Sequence, residues 1–343
     1  MEAGTRTTTP LKRPGTARAG SAEVQRTGHP LPVKPPAKDG PVRRPVRRPA
    51  RRRLTGMAGV RQLVADYFTM TKPRVQSLLL FTTVTTMYVA GDPSPGLVLL
   101  TCLGGALSAG GAGAINHCLD RDLDAAMSRT ANRPVPAGRV SAAAAFVYGV
   151  VLQVASFVVL SVAVNLLAAT LALAGFLGYV LVYTAWLKRT TPQNIVIGGA
   201  AGAVPPLVAW AAVTGSLEPG ALYLFAIVFC WTPPHFWALS LLMKEEYARA
   251  GVPMLPVVRG EIETRRQIVL YALVLVAVTI LPFASGLFGA AYLACALVLG
   301  GGLVVLALRL RRRGDRRSAL RLYLFSLAYL ALLFAAMVID THT

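Results

Sequence analysis

Residues 95–124 read PGLVLLTCLGGALSAGGAGAINHCLDRDLD. The first 21 of them, through Ile115, carry no charged side chain. A run of that length crosses a bilayer as one helix. Asn116, Asp120, Asp122 and Asp124 follow at once, so the polar chemistry begins where the apolar run stops.

Similar runs recur along the whole chain. Nine are read at about 75–91, 95–115, 140–163, 165–187, 194–213, 219–243, 267–286, 288–308 and 319–339. Backbone groups in lipid must find partners within their own segment, and nothing here alternates like a barrel strand. The expected fold is therefore all-α, a polytopic membrane bundle of about nine transmembrane helices over residues 54–343. A composition of 55% hydrophobic and 15% charged residues excludes a soluble domain of this size.

Charge is uneven. Residues 1–53 hold 14 Lys/Arg against 3 Asp/Glu, a surplus of 11 within a net charge of +20. This Pro- and Arg-rich tail is too polar to bury a core and is expected to be disordered. It has no apolar core like that of a secretory signal, and its prolines oppose the amphipathic helix of a mitochondrial transit peptide. No aromatic residues interleave with its arginines, so no nucleic-acid partner is expected; anionic lipid headgroups suit it better. Basic residues also follow the second, fourth, sixth and eighth spans, whereas the loops around Asp92, Asn165, Glu218 and Gly286 have none. The positive-inside rule places the N-terminus and the basic loops in the cytoplasm, with a bacterial plasma membrane as the expected location. The mitochondrial inner membrane, basic loops in the matrix, is the alternative. The four cysteines form no C-x-x-C pair, so neither a zinc site nor a disulfide framework is expected.

Asn116, Asp120 and Asp124 are spaced i, i+4, i+8. If the second helix continues past the membrane, they share one face, about 6 Å apart along the axis. Like charges there repel unless a divalent cation joins them, and paired carboxylates hold Mg²⁺ with positions left open for phosphate oxygens. Arg129 and Arg133 come next, and guanidinium forks suit phosphate. A polar loop tied by its own salt bridges would explain the mixed charges, though not the register of carboxylates with an amide at the mouth of an apolar bundle.

A second polar cluster lies in the sixth span, at Trp231-Thr-Pro-Pro-His-Phe-Trp237. Its prolines free backbone carbonyls and are expected to break the helix, which is tolerated where a helix lines a cavity. His235 lies roughly 12 Å below the cytoplasmic end. It is either a functional group or a neutral side chain bonded to a freed carbonyl. Lys244, Glu245 and Glu246 follow; His235 and Glu246 are three helical turns apart. The second and sixth spans thus end alike, a hint of a duplicated four-helix unit.

Asn116-x-x-x-Asp120-x-x-x-Asp124 resembles the first aspartate motif of the UbiA-type intramembrane prenyltransferases. Other segments look like the branch that farnesylates protohaem IX: Thr71-Lys72-Pro73-Arg74, Arg129-Thr130 with Arg133-Pro134, Thr191 through Gly199, Ala203-Val204-Pro205-Pro206, Pro234-His235, Leu255-Pro256-Val257, and Tyr329-Leu330 through Asp340. The resemblance covers about 65–343. The second D-x-x-x-D of quinone-forming relatives is replaced by Glu245-Glu246.

What the resemblance implies is a reaction in which farnesyl diphosphate and haem B give haem O and diphosphate, for delivery to a downstream haem A synthase. It implies Mg²⁺ held by Asp120, Asp124 and Glu246, with Glu245 as the alternative acid and Asn116 beside them. Arg129, Arg133 and Lys244 become diphosphate contacts, with Lys72, Lys188 and Arg189 as further candidates. His235 becomes a haem contact, with His117 as competitor. Tyr183, Trp186, Phe236 and Trp237 could face the allylic cation. The rivals are a quinone or chlorophyll-precursor prenyltransferase, a transporter, whose charges should span the bilayer rather than gather at one surface, and a non-catalytic scaffold.

Overall fold

The computed structural model describes residues 1–2 and 56–343. From residue 3 onward, the expected basic tail lies outside the described residues.

All nine apolar runs are helices. They are α2 (Pro73–Ala90), α3 (Pro95–Leu119), α5 (Ala142–Ala163), α6 (Leu166–Thr190), α7 (Asn194–Thr214), α8 (Pro219–Leu242), α11 (Gly260–Ala284), α12 (Ala290–Arg313) and α13 (Arg316–Thr341). Four shorter helices complete the set: α1 (Met57–Met70), α4 (Arg121–Ala126), α9 (Lys244–Arg249) and α10 (Leu255–Val258). Among the described residues, eight helices are long and apolar enough to cross a membrane. The ninth, α2, is diluted by hydroxyls; Thr82, Thr83, Thr85 and Thr86 are buried inside the bundle, and all but Thr86 donate to carbonyls one turn back.

The long helices form two rings. In the first, α2, α3, α5, α6 and α7 follow one another, and α7 closes against α2. In the second, α8, α11, α12 and α13 do the same, and α13 closes against α8. The rings meet where α7 touches α8 and α13 touches α2. The helices α3 and α8, each leading a four-helix succession, are the two that end in acidic motifs.

Glycine sets the contact between α3 and α5. A Cβ on Gly111 would lie 2.6 Å from the Gly149 carbonyl, and one on Gly149 would lie 2.7 Å from the Gly111 carbonyl. Reciprocal small residues let α3 and α5 meet backbone to backbone, as lipid-embedded helices do without a hydrophobic drive.

Two expectations about local shape are corrected. Pro233 and Pro234 do not break the sixth span; α8 runs through both without interruption. Nor does one helix carry His235 and Glu246, because α8 ends at Leu242 and α9 starts anew at Lys244. The amphipathic α1 was not singled out by the sequence reading. Its Val60, Leu63, Val64 and Phe68 point outward, while Asp66 and Met70 are buried.

Candidate active site

The helix α3 stops at Leu119 and α4 starts at Arg121, yet the helical register survives the junction. The Asp120 amide donates to the Asn116 carbonyl at 2.9 Å, and that of Asp124 to the Asp120 carbonyl at 2.7 Å. Asn116, Asp120 and Asp124 therefore remain on one side, and all three are buried. Asn116 Nδ2 donates to Asp120 Oδ2 at 2.7 Å and to Thr184 Oγ1 at 3.2 Å.

Each carboxylate has a cation. Lys188 Nζ donates to Asp120 Oδ2. Arg133 Nη1 reaches both oxygens of Asp124, at 2.9 and 2.8 Å. Arg189 takes the exposed Asp122 at 2.7 and 2.8 Å, and this hydrogen bonding holds the Asp122 carboxyl down at about 2. Two cations at the cluster have no carboxylate within 4.0 Å among the described residues, Arg129 at the exposed rim and Lys72 below it.

Lys72 is held by a left-handed backbone, with φ 58° and ψ 53°. A non-glycine residue pays for that conformation by roughly 1–2 kcal/mol, and such strain collects at functional positions. The turn is pressed onto α3, where Gly113 leaves room for the Met70 carbonyl. Lys72 Nζ then donates to Asn116 Oδ1 at 2.6 Å and to the Tyr179 hydroxyl at 3.3 Å. Burial first, and the Arg133 charge next, bring its ammonium down to about 8.

Tyr179, Thr184 and Lys188 all reach this cluster from α6 because its inner half, Gly178–Leu187, is a π-helix. Residues nine apart in an α-helix, at about 100° each, lie on opposite faces. The wider i→i+5 turn brings them round to one side. No pattern in the sequence announces that change of winding, so Tyr179 and Thr184 were missed.

From the other ring, Ser128 Oγ donates to Glu246 Oε1 at 3.0 Å, joining the two acidic segments. Glu246 is partly buried and Glu245 exposed, so Glu246 is the one turned inward. Tyr247 is buried beside it, and burial pushes its phenol up. Lys244 is not brought to the cluster; it pairs with Glu261 at 2.9 Å. Trp186 faces outward, 61% exposed.

Among the described residues, no three acidic, histidine or cysteine side chains gather as a metal site; Lys188 and Arg133 take up Asp120 and Asp124. Two carboxylate oxygens remain buried without a hydrogen-bond partner, Asp120 Oδ1, which has Arg189 Nη2 at 3.9 Å, and Glu246 Oε2. These oxygen donors suit a hard cation such as Mg²⁺.

An apolar cavity of about 250 Å³ opens beneath Lys72 and Tyr179 inside the first ring. Leu79, Leu80, Phe176, Val204 and Val208 line its depth.

His235 lies apart, between α8 and α13. Its ring stacks between Trp231 and Tyr323, with centroids at 4.3 and 4.9 Å, and Nδ1 is 2.7 Å from Ser326 Oγ. Ser326 donates its only hydroxyl proton to the Tyr323 carbonyl at 2.7 Å. The tautomer that satisfies both contacts has the Ser326 oxygen accepting from His235 Nδ1–H, which leaves Nε2 with a lone pair. The His117 ring is buried, and its Nδ1 has no partner.

Residues 78–333 match the UbiA prenyltransferase family. The chain belongs to that family. It is 58% identical over 286 residues to a protoheme IX farnesyltransferase of Roseiflexus sp. (strain RS-1), covering 83% of this chain and 54% of that relative. It is 53% identical over 279 residues to the protein of that name from Gloeobacter violaceus, covering 80% and 92%. The chain thus spans about half the length of the Roseiflexus protein. A solved UbiA homolog from Archaeoglobus fulgidus, bound to GPP and Mg²⁺, has the same fold, with a TM-score of 0.59 at 17% identity over 79% of this chain and 99% of that one. The chain is an integral membrane protein of this prenyltransferase family.

Proposed function

We propose that this protein transfers the farnesyl group of farnesyl diphosphate to a vinyl group of haem B, giving haem O and diphosphate. The observation that carries the first half is the cavity beneath Lys72. A cation without a carboxylate partner stands over an apolar chamber, and such a site is complementary to one kind of molecule, a phosphate ester with a long hydrocarbon tail. The names of the relatives support farnesyl as the tail and protohaem as the acceptor.

Mg²⁺ on Asp120, Asp124 and Glu246 would stabilise negative charge on the departing diphosphate. The chain's own residues divide the remaining work. Lys72 and Arg129 bind the diphosphate oxygens as they stand. Lys188 and Arg133 turn from their carboxylates to the diphosphate, so every acid released has a new counter-charge. The bond between farnesyl C1 and oxygen breaks, its electron pair leaving with the diphosphate. The terminal vinyl carbon of haem donates its π electrons to C1, and water adds to the carbon beside the ring and loses a proton. Tyr183 and Tyr179 lie side by side near the reacting end, their rings tilted by 35° with centroids 5.4 Å apart, and offer π faces to the cation. His235, with Nε2 free, orients the porphyrin by binding its iron. The quinone and transporter readings gain no support, since among the described residues the paired charges gather at the ends of the long helices and in the segments that join them rather than along their lengths, and the matched names specify haem.

We also place the cluster on the cytoplasmic side of a bacterial plasma membrane, on the strength of the basic loops, and expect haem A synthase to receive the product.

Arg133→Lys keeps the charge but loses the fork. Farnesyl diphosphate affinity should fall about tenfold, which is about 1.4 kcal/mol, with haem affinity unchanged; titrations of purified protein check both. A loss confined to haem would assign Arg133 elsewhere. Deleting residues 1–53 should leave the specific rate within twofold of the full chain at equal membrane insertion, because no site residue lies there. A larger loss would give the tail a catalytic part.

A further inference from the structure

Asp66 is the one carboxylate of α1 and it is turned inward, 4% exposed, on a helix whose apolar side chains face out. Arg139 Nε lies 3.0 and 2.9 Å from its two oxygens, across 73 residues of sequence. Gln62 Nε2, one turn back, donates to Oδ1 at 3.2 Å. The same guanidinium donates through Nη2 to the Asn132 carbonyl at 3.1 Å. Asn132 is the residue before Arg133, whose Nη1 holds both oxygens of Asp124. The segment is pinned at its other end by Thr130 Oγ1 on the Asp124 carbonyl, at 2.9 Å. Met70, Val135 and Val140 pack beneath it as one apolar cluster.

Buried ion pairs add little net stability compared with apolar pairs of the same shape, because desolvation offsets their attraction. What they can provide is one geometry. We propose that Asp66 and Arg139 are positioning residues, which hold the 129–133 segment so that Arg129 and Arg133 face the substrate diphosphate. Neither touches substrate; Arg139 acts through the Asn132 carbonyl and Asp66 through Arg139. This rests on the reading of the cluster as a diphosphate site. The same pair ties that segment to α1, whose Val60, Leu63, Val64 and Phe68 lie outward where lipid would meet them.

The test uses the full chain in detergent, with Asp66→Asn, Arg139→Gln, the double variant, and Arg139→Lys. Hydrogen exchange of amides 129–140 and binding of farnesyl thiodiphosphate and of haem are measured on each. Both single variants should speed exchange in the segment and weaken thiodiphosphate binding about ten- to a hundredfold, with haem binding unchanged. The double variant should lose no more than the worse single one, since the two act as a unit. Arg139→Lys, which folds with its charge retained, should still weaken thiodiphosphate binding by losing the link to Asn132. Additive losses, equal losses for both ligands, or unchanged exchange would overturn the proposal. Failure of the wild-type protein to bind thiodiphosphate would instead overturn the diphosphate reading, and the exchange data would still decide whether the pair orders the segment.

Discussion

Asp120→Asn is expected to lower farnesyl transfer by about 10²–10³-fold, the size of loss seen when one group stabilising developing charge is removed. The Asp120 side chain is fully buried and has Lys188, 12% exposed, as its counter-charge. Removing one partner of a buried pair costs about 3–5 kcal/mol, so instability alone could explain a dead variant. The double change Asp120→Asn with Lys188→Met separates the two effects. It removes both charges and should recover most of the lost melting temperature, but none of the activity. Recovery of activity with stability would show that Asp120 only neutralises Lys188. Asp124→Asn should behave likewise, with Arg133 the cation left behind.

His235→Ala is expected to weaken haem binding about a hundredfold or more and to shift the Soret band, while thiodiphosphate binding stays the same. The reason is the tautomer. With Nδ1–H committed to Ser326, Nε2 is free to bind iron, and an imidazole fixed through its other nitrogen is the usual arrangement for a metal-bound histidine. Ser326→Ala should therefore weaken haem binding by about tenfold. An unchanged spectrum in His235→Ala would leave the ring a packing element between Trp231 and Tyr323, and would turn attention to His117.

The membrane helices could be read from the sequence because lipid imposes the same demand on each of them. Twenty apolar residues without charge have few other uses. The α2 span was legible although its threonines dilute it, since the hydroxyls of Thr82, Thr83 and Thr85 bond within their own helix and demand nothing of the lipid. The first acidic motif was legible because i, i+4 spacing survives the helix break at Asp120. What was hidden depended on contacts between distant segments. Lys188 meets Asp120 only because α6 changes winding, and Asp66 meets Arg139 only because α1 folds back under α3. Lys244 looked equivalent to the other cations by its place beside Glu245 and Glu246, but short helices turn it toward Glu261. The prolines of α8 pointed to a break, yet the helix passes through them, because neighbouring helices hold it on both sides.

The central claim is farnesyl transfer to haem, and one incubation tests it. Purified protein is mixed with haem B, farnesyl diphosphate and Mg²⁺, and the porphyrins are resolved by mass spectrometry. The expected product is heavier than haem B by the elements of farnesol, with its new oxygen drawn from solvent water; it is absent when Mg²⁺ is chelated and absent with Asp120→Asn. Haem recovered unchanged, while the same protein prenylates a quinone precursor added in its place, would contradict it.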